Sequence, residues 1–239
     1  MTTSRIEHPR DWGACLREFG WLESVSDAEL EEIRPQGRCG TFRAGVTIFS
    51  PTDSPSSVFL LRKGLVRIYR ISTGGDEVTI GYVGPHEIFG ELGGFGDFPR
   101  ESYAMAVTDC WVCEMPQQTF VSLLNSHTEL VMDVARQIGK RLKRIESRLT
   151  NLVFREAFPR MCATLEQLAE DFGIDHAGGT VIDLPLTQSE LATLIGTSRQ
   201  TVNAGLRRLE EEGVTARRGR RFVVVDRVAL GRLADQLGT

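Results

Sequence analysis

The sequence predicts an α+β fold, an antiparallel β-roll joined by one long helix to a winged helix-turn-helix domain. Three observations predict it. Short apolar runs separated by turns fill the stretch from Gly37 to Glu114, a narrow apolar seam runs from Val131 to Leu152, and two short helical patterns meet at Gly196 near an arginine-rich end. The expected organisation is N-terminal helices and roll over residues 1–125, the long dimerisation helix over 126–158, and the winged domain over 159–239.

The roll is read from its strands. SSVFLLRKGLVRIYRIS carries β-branched and aromatic residues on both sides of the Lys63-Gly64 turn, STGGDEVTIGYV turns at Gly74-Gly75, and AMAVTDCWVCEM repeats the pattern. Many short strands at near-regular spacing point to a small antiparallel barrel or roll, the size of a ligand container.

From Ser126 the period changes. Val131, Val134, Ile138, Leu142, Ile145, Leu149 and Leu152 recur at spacings of 3, 4, 4, 3, 4 and 3, with Arg136, Lys140, Lys143, Arg144 and Arg148 outside the seam. A stripe this narrow suits a partner helix, so a parallel homodimer is expected. Pro159 lacks an N–H and restricts the residue before it, which predicts that the helix ends there with a hinge over Glu156 to Pro159.

A second helix, Arg160 to Phe172, leads through the glycine-rich GIDHAGGT to a strand, VIDLP. In LTQSELATLIGTSRQTVNAGLRRLEEEGV, Thr187 and Glu190 form a capping box, and Leu191, Leu194 and Ile195 supply a buried face. Gly196 breaks that helix, Ser198 caps the next, and Val202, Leu206 and Leu209 give its buried side. Helix, glycine turn, helix is the helix-turn-helix pattern. TARRGRRFVVVD reads as a two-stranded wing turning at Gly219.

Composition narrows the function. The chain has 239 residues, 41% of them hydrophobic and 25% charged, with no apolar run of membrane-spanning length and no signal-peptide stretch near Met1. The expected location is the cytoplasm. Five cysteines, an odd number and widely scattered, argue against a disulfide framework. From Leu186 onward nine arginines and no lysine face six acids, a net of +3, so within the whole-chain charge of −4 the first 185 residues carry −7. An acidic front and an arginine-rich rear suggest two modules, the rear suited to a polyanion.

The chain shows no Ser/His/Asp set, no metal-ligand spacing and no phosphate-binding P-loop, so it is read as a non-enzyme with no metal site. Cys15 and Cys39 are too few and wrongly spaced for a four-iron cluster. Cys110 and Cys113 stand three apart on a predicted strand and so point to opposite faces. His86, a lone histidine in a turn, reads as a surface residue rather than a heme ligand.

One loop stands out. FGELGGFGDFPRESYA, Phe89 to Ala104, holds four glycines that let backbone N–H groups approach a ligand, and Arg100 supplies a forked donor for phosphate. Glu101 beside it repels phosphate unless it has another partner.

FGELG, PRESYAMAVTD and LATLIGTSRQTVNAGLRRLEEEG, in this order around a long dimer helix, resemble the Crp/Fnr family of bacterial transcription regulators over roughly Leu22 to Val225. The resemblance implies a cyclic-nucleotide-binding-like roll in which Gly90, Glu91 and Leu92 hold the ribose of a cyclic nucleotide and Arg100 its phosphate, with Glu101 and Ser102 beside it. Two places depart from the cyclic-AMP responders. Glu101 stands where they usually carry a small hydroxyl residue, and Ile145 and Glu146 fall where their adenine-reading Thr-Ser pair lies. The implied effector is a cyclic nucleotide or cyclic dinucleotide, with cyclic di-GMP ahead of cyclic AMP. Glu101 could accept the adjacent N–H donors of guanine. Equally open are an ion-pair network in an empty roll, leaving a regulator without effector, a loop kept for its tight turns alone, and a nucleotide-binding module acting on a protein partner.

On DNA, the helix opening at Ser198 is expected in the major groove, with Arg199 reading guanine, Gln200 adenine and Asn203 a third position. Thr187, Ser189, Ser198 and Thr201 are placed to donate to phosphates, and Arg217, Arg218, Arg220 and Arg221 add charge on the wing. The expected partners are double-stranded DNA at an imperfect palindrome, a second copy of the chain, and RNA polymerase, with no membrane.

Overall fold

The computed structural model describes residues 5–7, 16–17, 19–91, 98–219 and 221–235. Leu92, Arg220 and Cys15 lie outside the described residues. Contacts divide the chain into two units, Met1–Leu142 and Lys143–Thr239.

In the first unit the central strand is the one with the longest apolar run. SVFLLRK forms β4 (Ser57–Lys63), and its four consecutive apolar residues are all buried because the sheet is covered on both faces. The full set is β1 (Arg5–Glu7), β2 (Arg38–Phe42), β3 (Thr47–Phe49), β4, β5 (Val66–Ile71), β6 (Glu77–Val83), β7 (Ile88–Phe89), β8 (Tyr103–Ala106) and β9 (Cys110–Pro116). One sheet runs β1-β2-β9-β4-β7 and the other β3-β8-β5-β6, with antiparallel neighbours throughout. Phe59 and Leu61 point between the sheets with Phe42, Phe49, Val66, Phe89 and Val112. Val58 and Leu60 point the other way, against Leu30 of α1 (Asp27–Ile33), Phe120, Leu123 and Leu124 of α2 (Gln117–Ser126), and Leu130 and Val134 of α3 (Thr128–Phe154).

Helix α3 (Thr128–Phe154) carries the expected long pattern, but its seam is divided. Leu130 and Val134 are buried in the unit's own core and Ile138 packs against it, whereas Val131, Leu142, Leu149 and Leu152 are 41%, 54%, 59% and 47% exposed. Pro159 does not end this helix. The helix stops at Phe154, and Pro159 stands in the first turn of α4 (Ala157–Phe172), where its missing N–H would have had no intrahelical partner.

In the second unit α4 is followed by β10 (Gly173–His176) and β11 (Gly179–Ile182), α5 (Gln188–Ile195), α6 (Arg199–Glu211), β12 (Thr215–Arg218), β13 (Arg221–Val224) and α7 (Arg227–Ala234). The glycine-rich GIDHAGGT forms a hairpin, with β10 paired to β11. The wing is likewise not an isolated ribbon, because β13 pairs with β11 to give a four-stranded sheet, β10-β11-β13-β12. No helix among the described residues is long and apolar enough to cross a membrane, and no group of three His, Cys, Asp or Glu is placed to hold a metal.

The cysteines depart from expectation. Cys39 and Cys113 sit directly opposite each other on β2 and β9, with Cα atoms 4.1 Å apart, and form a disulfide across a sequence separation of 74. Facing positions of antiparallel strands fall within disulfide reach whatever their sequence distance, so scatter along the chain was no guide. Cys110 lies on the other face of β9, inside the roll, where its thiol donates to the carbonyls of Leu65 and Thr108, both at 3.2 Å. Burial pushes the Cys110 thiol up to about 11 and the Cys162 thiol up to about 12.

Two outcomes are expected. Reducing Cys39–Cys113, or replacing Cys113 with Ser, releases a long loop and lowers the stability of the first unit by about 2–4 kcal/mol; an unchanged urea midpoint with and without dithiothreitol would refute this. Raised thiol pKa values mean little thiolate at pH 8. Cys110 and Cys162 of the native protein should therefore resist iodoacetamide and react only on unfolding or near pH 11, as peptide mapping by mass spectrometry would reveal.

Candidate functional site

Two regions gather the chemistry, one within each unit. In the first, β7 runs into the turn at Gly90, whose φ of +74° is a conformation that side chains rarely adopt. A Cβ there would also meet Arg100 Nη1 at 2.8 Å and Phe59 Cδ2 at 3.1 Å, so glycine is required both for the turn and for the approach of the arginine.

Arg100 is only 9% exposed. Its guanidinium lies 4.1 Å from the centroid of Phe49 and 5.4 Å from that of Phe59, and it donates from Nη2 to Ser57 O at 2.7 Å and from Nε to Ser54 O at 3.3 Å. Burial lowers its pKa from the usual arginine range, while the charges of Asp53, Glu114 and Glu91 act the other way. Starting from so high a value it remains a cation.

Glu91 is 3% exposed and needs a positive partner. Arg141 of α3 provides it, with Nη1 2.7 Å from Glu91 Oε1, and also donates from Nη2 to Ile88 O at 2.5 Å. One turn earlier Gln137 Oε1 accepts from Ile88 N at 2.9 Å. The helix thus holds both polar groups of one residue in β7. Arg141 escaped the sequence reading, which sorted the helix into seam and solvent faces and overlooked a cation at seam-adjacent spacing.

Glu101 and Ser102 are not grouped with Arg100 in one network. Both face Arg70 of β5, whose Nη2 lies 2.5 Å from Glu101 Oε2 and whose Nε donates to Ser102 Oγ at 3.3 Å. The repulsive carboxylate therefore has a cation partner, again one the sequence reading did not single out.

In the second unit the helix-turn-helix is built by its caps. Thr187 Oγ1 accepts from Glu190 N at 3.1 Å while Glu190 Oε2 accepts from Thr187 N at 2.7 Å, which starts α5. Gly196 at φ +72° ends it. Arg160 of α4 then donates to Ile195 O at 2.8 Å and Gly196 O at 3.3 Å, satisfying carbonyls that the helix end leaves open. Ser198 Oγ accepts from Thr201 N at 3.1 Å to start α6, whose Val202, Leu206 and Leu209 are buried.

The opposite side of α6 exposes Arg199, Gln200, Thr201 and Asn203, with Arg207 further along. Among the described residues Arg199, Arg207 and Arg218 have no ion-pair partner, whereas Arg221 pairs with Asp183 at 2.6 Å and Arg217 lies over the Phe222 ring at 4.6 Å. The hydroxyls divide in the same way. Thr187 Oγ1 already donates to Glu190 Oε2 at 2.8 Å and Ser198 Oγ is bonded to Thr201 Oγ1 at 2.9 Å, while Ser189 is exposed.

Comparison with known proteins agrees with this division. Residues 40–127 match the cyclic nucleotide-binding domain and residues 159–233 the Crp-like helix-turn-helix domain. The chain is 29% identical over 219 residues to the CRP-like cAMP-activated global transcriptional regulator of Mycobacterium tuberculosis, covering 92% of this chain and 98% of that protein. It is 32% identical over 193 residues to the global nitrogen regulator of Synechococcus elongatus, covering 79% and 86%. The solved structure of the c-di-GMP responsive global regulator CLP of Xanthomonas campestris shares the fold, with a TM-score of 0.69 at 24% identity over 84% of this chain and 100% of that one. With a nucleotide-binding-type roll followed by a Crp-like reading head, and with relatives that regulate transcription rather than catalyse reactions, the chain belongs to the Crp/Fnr family of transcription regulators.

Proposed function

We propose that this regulator binds an imperfect palindrome as a homodimer and is controlled by a cyclic nucleotide or cyclic dinucleotide in its roll. The observation that carries the DNA reading is the exposed N-terminal turn of α6, where Arg199 stands without an ion-pair partner among the described residues. Arg199 is assigned to guanine, Gln200 to adenine and Asn203 to a third base, with Ser189, Thr201 and Arg218 on phosphates. Thr187 and Ser198 act first as caps, and Arg220 is placed on the wing by sequence alone.

Support for the homodimer comes from α3, which leaves Leu142, Leu149 and Leu152 exposed at seam spacing. A two-fold pair of reading heads would span half-sites one DNA turn apart, and RNA polymerase is the expected next partner. Such a protein works where the DNA is, in the cytoplasm.

The relatives differ in what their names say they respond to: the mycobacterial regulator is cAMP-activated, the Xanthomonas regulator c-di-GMP responsive. In this chain Glu101 replaces the small hydroxyl residue expected beside the phosphate-facing arginine, a departure that argues against cyclic AMP and leaves cyclic di-GMP as the nucleotide to test first. An effector acts only by its difference in affinity for the two arrangements of the regulator. A second reading, control without effector, draws support from the internal pairing of Glu91 with Arg141 and of Glu101 with Arg70.

DNA binding is tested on a sequence selected from a randomised pool and read by fluorescence anisotropy. Arg199→Ala should cost about 1–3 kcal/mol and relax the preference at one base, while Arg218→Ala should weaken all sequences alike and lower the salt slope by about 1. Retention of full specificity by Arg199→Ala would remove it as a base reader. For the effector, isothermal titration with cyclic AMP, cyclic GMP and cyclic di-GMP should give a saturable signal for cyclic di-GMP that Arg100→Ala abolishes. Silence for all three with the wild type leaves the effector-independent reading.

A further inference from the structure

We propose that Arg70 is a specificity-determining cation at the open end of the roll and that Glu101 is its built-in counter-anion, displaced when the phosphate of an effector arrives. The inference rests on the nucleotide reading of the roll and selects a ligand class within it.

Side-chain alternation places Arg70. Val66 and Ile68 of β5 face the core between the two sheets, and Arg70 is next on that face. Ile68 pairs with Ala104 of β8, also in that core, and Ser102 precedes Ala104 by two residues. Arg70 donates to Ser102 across this pair and also reaches the neighbouring Glu101. On the reverse face Tyr69 stacks on Tyr103 at 5.1 Å, and the Arg67 guanidinium lies 4.7 Å from the Tyr69 ring, which pins the two strand ends in register. Arg100, two residues before Ser102, is buried against Phe49 and Phe59 of the same core. Two arginines therefore line one interior, Arg100 deep within it and Arg70 at its mouth.

Their partners differ in kind. Arg100 is tied through Nε and Nη2 to fixed backbone carbonyls and keeps Nη1, beside Gly90, for a ligand. Arg70 is tied to a side chain that can swing away, and the pair is exposed, at 54% for Arg70 and 62% for Glu101. An exposed ion pair is held weakly. A phosphodiester presents a guanidinium with the same charge and the same pair of oxygens as a carboxylate, so it can take the place of Glu101 on Arg70 without leaving a buried charge behind. A cyclic mononucleotide has one phosphodiester and can satisfy one arginine. A cyclic dinucleotide has two, and two arginines on one interior match it.

The two roles open to Glu101 predict opposite results. If it accepts guanine N–H groups, neutralising it loses affinity; if it competes for Arg70, neutralising it gains affinity. Titration of the full chain with cyclic di-GMP, cyclic AMP and cyclic GMP should show Glu101→Gln binding cyclic di-GMP roughly two- to fivefold more tightly than wild type. Arg70→Ala should bind it roughly tenfold or more weakly, and Arg70→Lys should fall between because it keeps the charge without the fork. Weaker binding by Glu101→Gln, unchanged binding by Arg70→Ala, or a wild type that binds only a mononucleotide would each overturn the inference while leaving a nucleotide-responsive roll. No binding of any of the three to wild type or to Glu101→Gln would overturn the nucleotide reading itself.

Discussion

A carboxylate as buried as that of Glu91 costs stability unless a cation is held against it, and the first unit is arranged to hold one there. Glu91 follows the turn that Gly90 makes next to three packed phenylalanines, Phe49, Phe59 and Phe89, with ring centroids 5.3–6.0 Å apart. An apolar wall cannot neutralise it, so the cation comes from α3. Because Gln137 and Arg141 are four residues apart, both lie on one helix face, and together they bond the N–H and the carbonyl of Ile88 while Arg141 reaches Glu91. Removing one member of such a pair costs about 3–5 kcal/mol, because the other remains buried and unpaired.

The same accounting separates the two functional regions. In and around the roll four arginines have partners within the unit: Arg67 has Glu77 and Thr79, Arg70 has Glu101, Arg100 has carbonyls, and Arg141 has Glu91. The reading head leaves cations open. Helix α6 begins with Arg199 and ends in Glu210, Glu211 and Glu212, which is the reverse of what the helix dipole favours. Two of these acids have cation partners, Glu212 in Arg208 at 2.8 Å and Glu210 in Arg217 at 4.0 Å, whereas Arg199 adds its positive charge to that of the helix N-terminus, the end suited to a polyanion.

Much of this was legible because it is local. The capping box of Thr187 and Glu190, the break at Gly196 and the burial of Val202, Leu206 and Leu209 depend on residues within one or two turns, and each reads directly from spacing. The roll was legible as many short strands. What escaped depends on contacts distant in sequence. The Cys39–Cys113 bond, the Glu91–Arg141 pair and the Arg70–Glu101 pair link residues 74, 50 and 31 apart, and no period in the sequence encodes which strand will lie beside which. Pro159 was misread for another reason: a proline at the end of one helix and a proline in the first turn of the next are the same symbol until the boundary is known.

The divided seam of α3 follows from the same long-range contacts. A period of 3 and 4 defines a stripe but does not say what covers it. Leu130, Val134 and Ile138 are claimed by the core of the first unit, because that is the face on which Gln137 and Arg141 must reach β7. Leu142 is the next residue after Arg141 and is 54% exposed. Adjacent residues of a helix point about 100° apart and move as one body. Arg141, which pairs with Glu91, and Leu142, an exposed apolar position, therefore share one helix backbone, so any rotation of the helix that moves Arg141 also reorients Leu142. In a dimer built on that stripe, events in the roll and geometry at the seam would be two readings of one rotation.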